Sequence, residues 1–172
     1  YALFMTTNPA VIALSYLTYT SIILHSILTL YLVLRSRSAR SVRYQVSSGS
    51  SNSSWASRNM AFLGTMLLIF LIIHLRSFWY EMHFGDIGLD KWGNKDLYTV
   101  TVSAFQDILY TAFYVLSMLM LSFHLSHGVS SAFQTLGLST SKYEKIINFV
   151  GKSIAVLIPL IFASIPITLY VR

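Results

Sequence analysis

The sequence predicts an all-α fold, a transmembrane helix bundle that forms one membrane domain over residues 1–172. Of the 172 residues, 55% are hydrophobic and only 10% are charged, whereas a typical soluble domain is about 25% charged. The mean hydropathy of +0.62 agrees with a membrane protein. A helix needs about 20 mostly apolar residues to cross the hydrocarbon core. Four segments reach that length, at about 9–34, 59–80, 102–128 and 146–170.

The first predicted span begins at a helix-start signal, because Asn8 suits an N-cap and Pro9 suits the first helical position. A polar loop follows this span, and its serine-rich centre at 47–54 is typical of a flexible linker. All the charged residues of this loop are arginines: Arg35, Arg37, Arg40, Arg43 and Arg58.

The two later loops differ from the first in charge. The loop at 81–96 carries four carboxylates against two lysines, and the third connection carries Lys142, Lys145 and Lys152. Lysine and arginine are enriched in cytoplasmic loops, so the arginine-rich loop at 35–58 and the third connection are predicted to be cytoplasmic, and the acidic loop external. The net charge of +6 then reflects orientation and contact with anionic lipid, and no nucleic-acid partner is expected.

The absence of cysteine narrows the possible chemistry to the histidines. It excludes a disulfide framework, a thiolate zinc site, a protein-ligated iron–sulfur cluster and a thioether-linked haem. Three histidines, His25, His74 and His124, lie in apolar surroundings on three different spans. Ionisable groups inside the membrane are costly and usually functional, although each could instead be a buried histidine hydrogen-bonded to a neighbouring helix.

Haem is the cofactor that suits one histidine from each of several facing helices. Two neutral imidazoles can bind its iron from opposite faces, and this arrangement favours electron transfer because no coordination position stays open. Zinc or copper held directly by side chains would need further ligands at the same depth, and the sequence offers too few.

Depth along the spans indicates which histidines can pair. His25 lies ten residues before Arg35, roughly 15 Å of helix from the basic side. His74 lies sixteen residues beyond Arg58, roughly 24 Å from that same side. His124 lies near the cytoplasmic end of the third span and therefore shares the level of His25. One haem held by His25 and His124 is predicted, with His74 nearer the outer face.

His127 competes with His124, because residues three apart lie near one helix face. The more apolar position favours His124 as the iron ligand, and His127 would then meet a haem propionate or the membrane interface. Arg76 could pair with a propionate or anchor the interface. His83 follows the second span in the acidic loop and is predicted to be solvated.

Three stretches carry a resemblance to a known family, in that family's order along nearly the whole chain. They are Thr7-Asn8-Pro9 with the helix that ends in Arg35-Ser36-Arg37-Ser38-Ala39-Arg40; Trp55-Ala56-Ser57-Arg58-Asn59-Met60 ahead of His74-Leu75 and Phe78-Trp79; and Phe123-His124-Leu125-Ser126-His127-Gly128 with 131–137. They resemble the cytochrome b558 membrane-anchor subunit of succinate dehydrogenase, in the single-subunit, di-haem form common in Bacteroidetes.

The resemblance implies five spans in the family, so that this chain would begin after the first of them. It implies that His25 and His124 hold the haem b proximal to the iron–sulfur subunit, and that His74 holds a distal haem together with a histidine of the preceding helix. Some relatives have asparagine at the place of His127, which supports His124 as the ligand.

The resemblance further implies a multi-pass subunit of complex II in the bacterial cytoplasmic membrane. Its partners would be a flavoprotein subunit, which oxidises succinate, and an iron–sulfur subunit, with membrane lipid around the bundle. Electrons would reach a quinone, menaquinone, through the haems, and the chain itself would perform no succinate chemistry. Arg76, Glu81 and His83 are guesses for the quinone site.

Two other hypotheses stay open. The chain could be the cytochrome b anchor of a different membrane dehydrogenase or reductase, which would share the histidine pattern and differ in its partner. It could also be a haem-free transporter or structural membrane protein in which the histidines relay protons.

Overall fold

The computed structural model describes residues 2–39, 53–140 and 142–172, and this part of the chain is helical apart from its loops and one isolated β-bridge. The all-α fold is confirmed. Within the described ranges, four helices are long and apolar enough to cross a membrane: Pro9–Ser38, Met60–Phe84, Ile108–Thr135 and Glu144–Val171. Arg40, Arg43 and residues 47–52 of the serine-rich stretch lie outside the described residues.

The chain divides into two compact units, one formed by residues 1–48 and 88–95 and the other by residues 49–87 and 96–172. The prediction of one membrane domain over residues 1–172 stays a prediction.

The first unit contains helices α1 (Ala2–Thr7) and α2 (Pro9–Ser38). The carboxamide oxygen of Asn8 accepts hydrogen bonds from the backbone N–H groups of Ala10 at 3.0 Å and Val11 at 3.3 Å, and a proline opens the helix. The predicted start of the first span is therefore confirmed. Two arginines in the last turn of α2 complement the negative end of the helix dipole, and α2 extends to residue 38 where the sequence predicted about 34.

Residues 88–95 form a tight turn in the same unit. The Asp90 carboxylate accepts hydrogen bonds from the backbone N–H groups of Trp92 and Asn94, each at 2.9 Å. Gly93 has a φ of 80°, a left-handed conformation that glycine adopts without steric cost. A single antiparallel bridge between Leu89 and Lys95 closes the turn.

The second unit begins with one short and one long helix. Helix α3 (Trp55–Arg58) precedes α4 (Met60–His74), which continues without interruption as a π-helix (Leu75–Tyr80) and then as α5 (Glu81–Phe84). The span therefore ends at residue 84 and not at residue 80. The first four residues of the predicted acidic loop are helical.

The third span begins later than the sequence predicted. Helix α6 (Leu97–Ala104) ends before a break at 105–107, and α7 (Ile108–Thr135) starts beyond it. The Asp107 carboxylate accepts a hydrogen bond from the backbone N–H of Tyr110 at 2.8 Å, so it acts as the N-cap of a new helix. The predicted start at about residue 102 is wrong because the apolar residues there belong to α6.

Helix α8 (Glu144–Val171) packs antiparallel against α7. Gly151 permits a close approach, since a Cβ atom at that position would lie 3.2 Å from Cγ1 of Val129. At the other end of the pair, the side-chain amide of Gln106 donates a hydrogen bond to the carbonyl oxygen of Leu169 at 2.8 Å.

A small aromatic core lies where α4, the π-helix and α7 meet, formed by Phe78, Phe105 and Tyr114. Most other large apolar side chains point outward, as Leu109 does with 77% of its surface exposed and Phe149 with 73%. Outward apolar side chains of this kind suit spans that are surrounded by lipid, because lipid tails are as apolar as leucine.

Candidate functional site

The second unit contains His74, His83, His124 and His127, whereas His25 lies exposed on α2 of the first unit. The pairing of His25 with His124 stays a prediction. Within the second unit, His74 and His124 form two separate sites on the helix pair α4–α7.

The imidazole of His124 contacts the backbone of α4 at a glycine. A Cβ atom built on Gly64 would lie 3.7 Å from Cε1 of His124, which is an ordinary van der Waals distance. The Nδ1 atom of His124 is buried. Its neighbour Phe123 packs edge-on against Trp55, with 5.4 Å between the ring centres. His124, on α7, thus packs against α4 at the end of the helix pair that α3 contacts.

His74 lies ten residues further along α4, inside a cluster of aromatic rings. Its ring centre is 5.7 Å from that of Phe70, 5.4 Å from that of Phe78 and 6.0 Å from that of Tyr114. The Tyr114 hydroxyl lies 3.4 Å from Nδ1 of His74, and the Tyr110 hydroxyl lies 2.9 Å from the Tyr114 hydroxyl. A short hydrogen-bonded chain therefore leads from Tyr110 to His74.

The two histidine sites lie at different levels of the helix pair. Gly64 faces His124 and His74 faces Tyr114, so α4 and α7 run antiparallel. Ten residues separate the two positions on each helix, which corresponds to about 15 Å at the rise of an α-helix. His74 and His124 therefore cannot bind the same iron atom.

A change in helix type marks the His74 site. The π-helix begins at Leu75, the residue after His74, and contains the buried Phe78. Short π-helical turns inside α-helices occur frequently at functional sites. No glycine or proline lies between residues 75 and 80, so composition alone gave no sign of it.

A cavity that is open to the protein surface, of about 660 Å³, lies close to the same level and is lined by Ile73, Ser77, Ser103, Ala104, Asp107, Leu109, Tyr110 and Phe113. Its lining is mainly apolar with a few polar groups, and its volume is within the range of small-molecule sites. Tyr110 lines this cavity and also hydrogen-bonds to Tyr114. The hydroxyl chain therefore connects the cavity to the imidazole of His74.

The charged residues at the end of this span have local partners. Arg76 forms an ion pair with Glu81, and its guanidinium lies 4.4 Å from the centre of the Tyr80 ring. His83 stacks on Trp79 with 4.4 Å between ring centres. His83 is exposed, but it lies in helix α5 and not in a loop.

His127 is half-buried on α7, one turn beyond His124. The described residues contain no group of three or more histidine, aspartate or glutamate side chains that could hold a metal ion.

Comparison of this chain with family models, curated proteins and solved structures gives no match.

Three site residues were missed by the sequence reasoning: Gly64, Tyr110 and Tyr114. The tyrosines are four residues apart and thus share a helix face, and this spacing within an apolar span was a usable signal. The role of Gly64 depends on which turn of α4 faces His124, which is a tertiary property.

Proposed function

We propose that this chain is the haem b-binding membrane anchor of a succinate:quinone oxidoreductase, which passes electrons from an iron–sulfur subunit to menaquinone. The observation that supports this best is the placement of His74 and His124, two imidazoles at separate levels of one helix pair inside apolar spans. Two levels suit two redox centres that are stacked across a membrane.

The residues present at these levels fit a haem. Neutral imidazole is a common axial ligand of haem iron. Beside His124, Gly64 offers a backbone surface with no side chain, and such surfaces let a flat group approach a helix closely. Beside His74, the Tyr114 hydroxyl supplies the second hydrogen-bonding partner that ligating histidines almost always have.

His25 and His124 would hold the proximal haem, and His127 would lie near its propionates. His74 would hold the distal haem together with a residue from outside the four spans. The bound haems would supply one-electron transfer. The apolar side chains around His74 would exclude water, and those facing outward would bind lipid. The succinate chemistry would belong to the flavoprotein partner.

The cavity beside Tyr110 is the candidate quinone site. Quinones are mainly apolar molecules with two carbonyl acceptors, and the cavity combines apolar lining residues with four polar ones: Ser77, Ser103, Asp107 and Tyr110. Its position next to the His74 level would let a quinone accept electrons there. Arg76 and Glu81 pair with each other, so we prefer the cavity residues over them.

A haem-free proton-relay protein is the second candidate function. The hydrogen-bonded chain from Tyr110 through Tyr114 to His74 favours it, because such chains can conduct protons in membrane proteins.

Spectroscopy of the protein purified from its native membrane distinguishes the two functions. We expect a reduced-minus-oxidised spectrum with a b-type band, co-purification of a flavoprotein and succinate–quinone reductase activity. The absence of any b-type band from the purified protein would refute the haem proposal and favour the haem-free proton relay. A b-type band with a different flavoprotein partner would refute the succinate assignment alone.

A further inference from the structure

We propose that Tyr114, oriented by Tyr110, is a positioning residue for His74. Its hydroxyl oxygen accepts a hydrogen bond from Nδ1–H of His74 and so keeps the imidazole in the tautomer whose free lone pair is on Nε2. The importance of this tautomer for iron rests on the proposed function. The tautomer itself is a property of this chain with or without haem.

The first argument is the cost of placing a hydroxyl here. Tyr114 is buried, with 5% of its surface exposed, and four phenylalanines pack around its ring: Phe70, Phe78, Phe105 and Phe113. A phenylalanine at position 114 would fill the same space without a polar atom. A buried tyrosine hydroxyl usually has a hydrogen-bond partner, and at this site the hydroxyl lies next to an imidazole nitrogen.

The second argument concerns the direction of the hydrogen bonds. A tyrosine hydroxyl has one proton to donate and lone pairs to accept with. The Tyr114 oxygen lies 2.9 Å from the Tyr110 oxygen and 3.4 Å from Nδ1 of His74. An O–H group bonded to a neutral imidazole would make the shorter of the two contacts, because imidazole nitrogen is the stronger acceptor. The Tyr114 proton therefore points to Tyr110, and its lone pair faces Nδ1–H.

The third argument concerns where the chain of hydrogen bonds ends. Tyr110 accepts from Tyr114 and lines the cavity together with Asp107 and Ser77. Its own proton can therefore reach a polar group or water there. Donation then runs outward from His74 through Tyr114 and Tyr110 to the cavity. In the opposite direction, the Tyr114 hydroxyl would donate a hydrogen bond to Nδ1 of His74. The ring proton would then lie on Nε2, which could not bind iron in that tautomer.

The first experiment measures the tautomer directly in the full-length, haem-free chain. The chain is labelled with ¹⁵N-histidine, reconstituted in lipid nanodiscs, and His74 is assigned by its loss in His74→Gln. We expect a protonated Nδ1 and an unprotonated Nε2 in the unmodified chain. Tyr114→Phe removes the acceptor, and we expect the tautomer ratio to fall about fivefold, the factor that corresponds to the net contribution of one hydrogen bond.

Tyr110→Phe provides a second test of the direction of these hydrogen bonds. Without Tyr110 as its acceptor, the Tyr114 hydroxyl turns its proton towards His74, and Nε2 becomes the protonated nitrogen. The matched control is Tyr98→Phe on α6, an exposed tyrosine whose hydroxyl contacts Arg172, and it should leave the His74 signals unchanged. A protonated Nε2 in the unmodified chain, or an unchanged ratio in both Tyr110→Phe and Tyr114→Phe, would overturn the proposal.

The second experiment uses the haem-loaded complex. A hydrogen bond from Nδ1–H makes a ligating imidazole more basic and stabilises ferric iron, so Tyr114→Phe should raise the midpoint potential of one haem and leave the other unchanged. Tyr98→Phe should shift neither potential. Unshifted potentials in Tyr114→Phe would show that Tyr114 does not influence the haem iron through His74. The tautomer measured by nuclear magnetic resonance would not be affected by that outcome. A protein without haem would refute the proposed function and leave the tautomer result intact.

Discussion

The contact between Gly64 and His124 predicts opposite effects for two small substitutions at one position. Gly64→Ala should be tolerated, and Gly64→Val should displace the imidazole and cause loss of the haem that we assign to it. Both variants add only carbon atoms to α4. The difference between them therefore reports the space between the two helices.

The magnitudes follow from one distance. A Cβ atom at Gly64 lies 3.7 Å from Cε1 of His124, so alanine makes an ordinary contact. It should also stabilise the helix by about 0.8–1.0 kcal/mol through its higher propensity. A valine γ-carbon extends about 1.5 Å beyond Cβ, a typical C–C bond length. When it is directed at the ring it would approach to roughly 2.2 Å, which overlaps the imidazole. Overpacking of this kind costs about 1–3 kcal/mol.

Two measurements on the purified complex test this reasoning, namely the haem content per chain from the reduced-minus-oxidised spectrum and the midpoint of thermal unfolding in detergent. Gly64→Ala should retain wild-type haem content and an equal or higher midpoint. Gly64→Val should lose one haem. Gly88→Val in the loop of the first unit is the control, because a Cβ atom at Gly88 also meets nothing within 4 Å and the position lies outside the spans. Full haem content in Gly64→Val would show that His124 does not bind haem beside Gly64. Haem loss in Gly64→Ala would show that less space is available there than the 3.7 Å contact indicates.

Three further predictions are testable, two from the histidine assignments and one from the start of α6. We expect His124→Ala, and equally His25→Ala, to remove the proximal haem while the distal signal persists, and retention of both signals in either variant would contradict the assignment. His127→Ala should leave iron ligation intact, and a lost proximal signal there would reverse the choice between the two neighbouring histidines. The hydrogen bond from the Thr99 hydroxyl, together with that from its backbone N–H, holds the pKa of Asp96 below its usual value. Its stabilisation of the start of α6 is therefore present above the unfolded-state pKa of about 3.9 and is lost as the pH falls through the lower folded-state pKa. The protection factor of the Thr99 amide against hydrogen exchange should fall across that interval, and Thr99→Val should weaken the pH dependence.

Local signals in the sequence were sufficient where a helix end depends on its own side chain. Asn8 and Pro9 predicted the start of α2 because an N-cap acts within one turn. The same kind of signal was available at Asp107, but the apolar residues before it concealed the break between α6 and α7. The pattern therefore predicted one span where the chain forms a short helix and a long one.

The sites depended more on tertiary packing. His25, His74 and His124 were obvious candidates because few ionisable groups lie in the spans. That His74 is surrounded by Phe70, Phe78 and Tyr114 follows from the pairing of α4 with α7, and a single sequence does not encode that pairing in any periodic pattern. The contact between Gly64 and His124 has the same origin.

The π-helix after His74 changes the helix face on which each later residue lies. Its hydrogen bonds skip one residue more than those of an α-helix, so the chain beyond Tyr80 is rotated by about 100° relative to an uninterrupted α-helix. A helical wheel drawn from Met60 to Phe84 with one constant angle would therefore assign Glu81 and His83 to the wrong face. The parts of this span before and after the π-helix need separate wheels, and a one-residue deletion within 75–80 would bring them back into a single register.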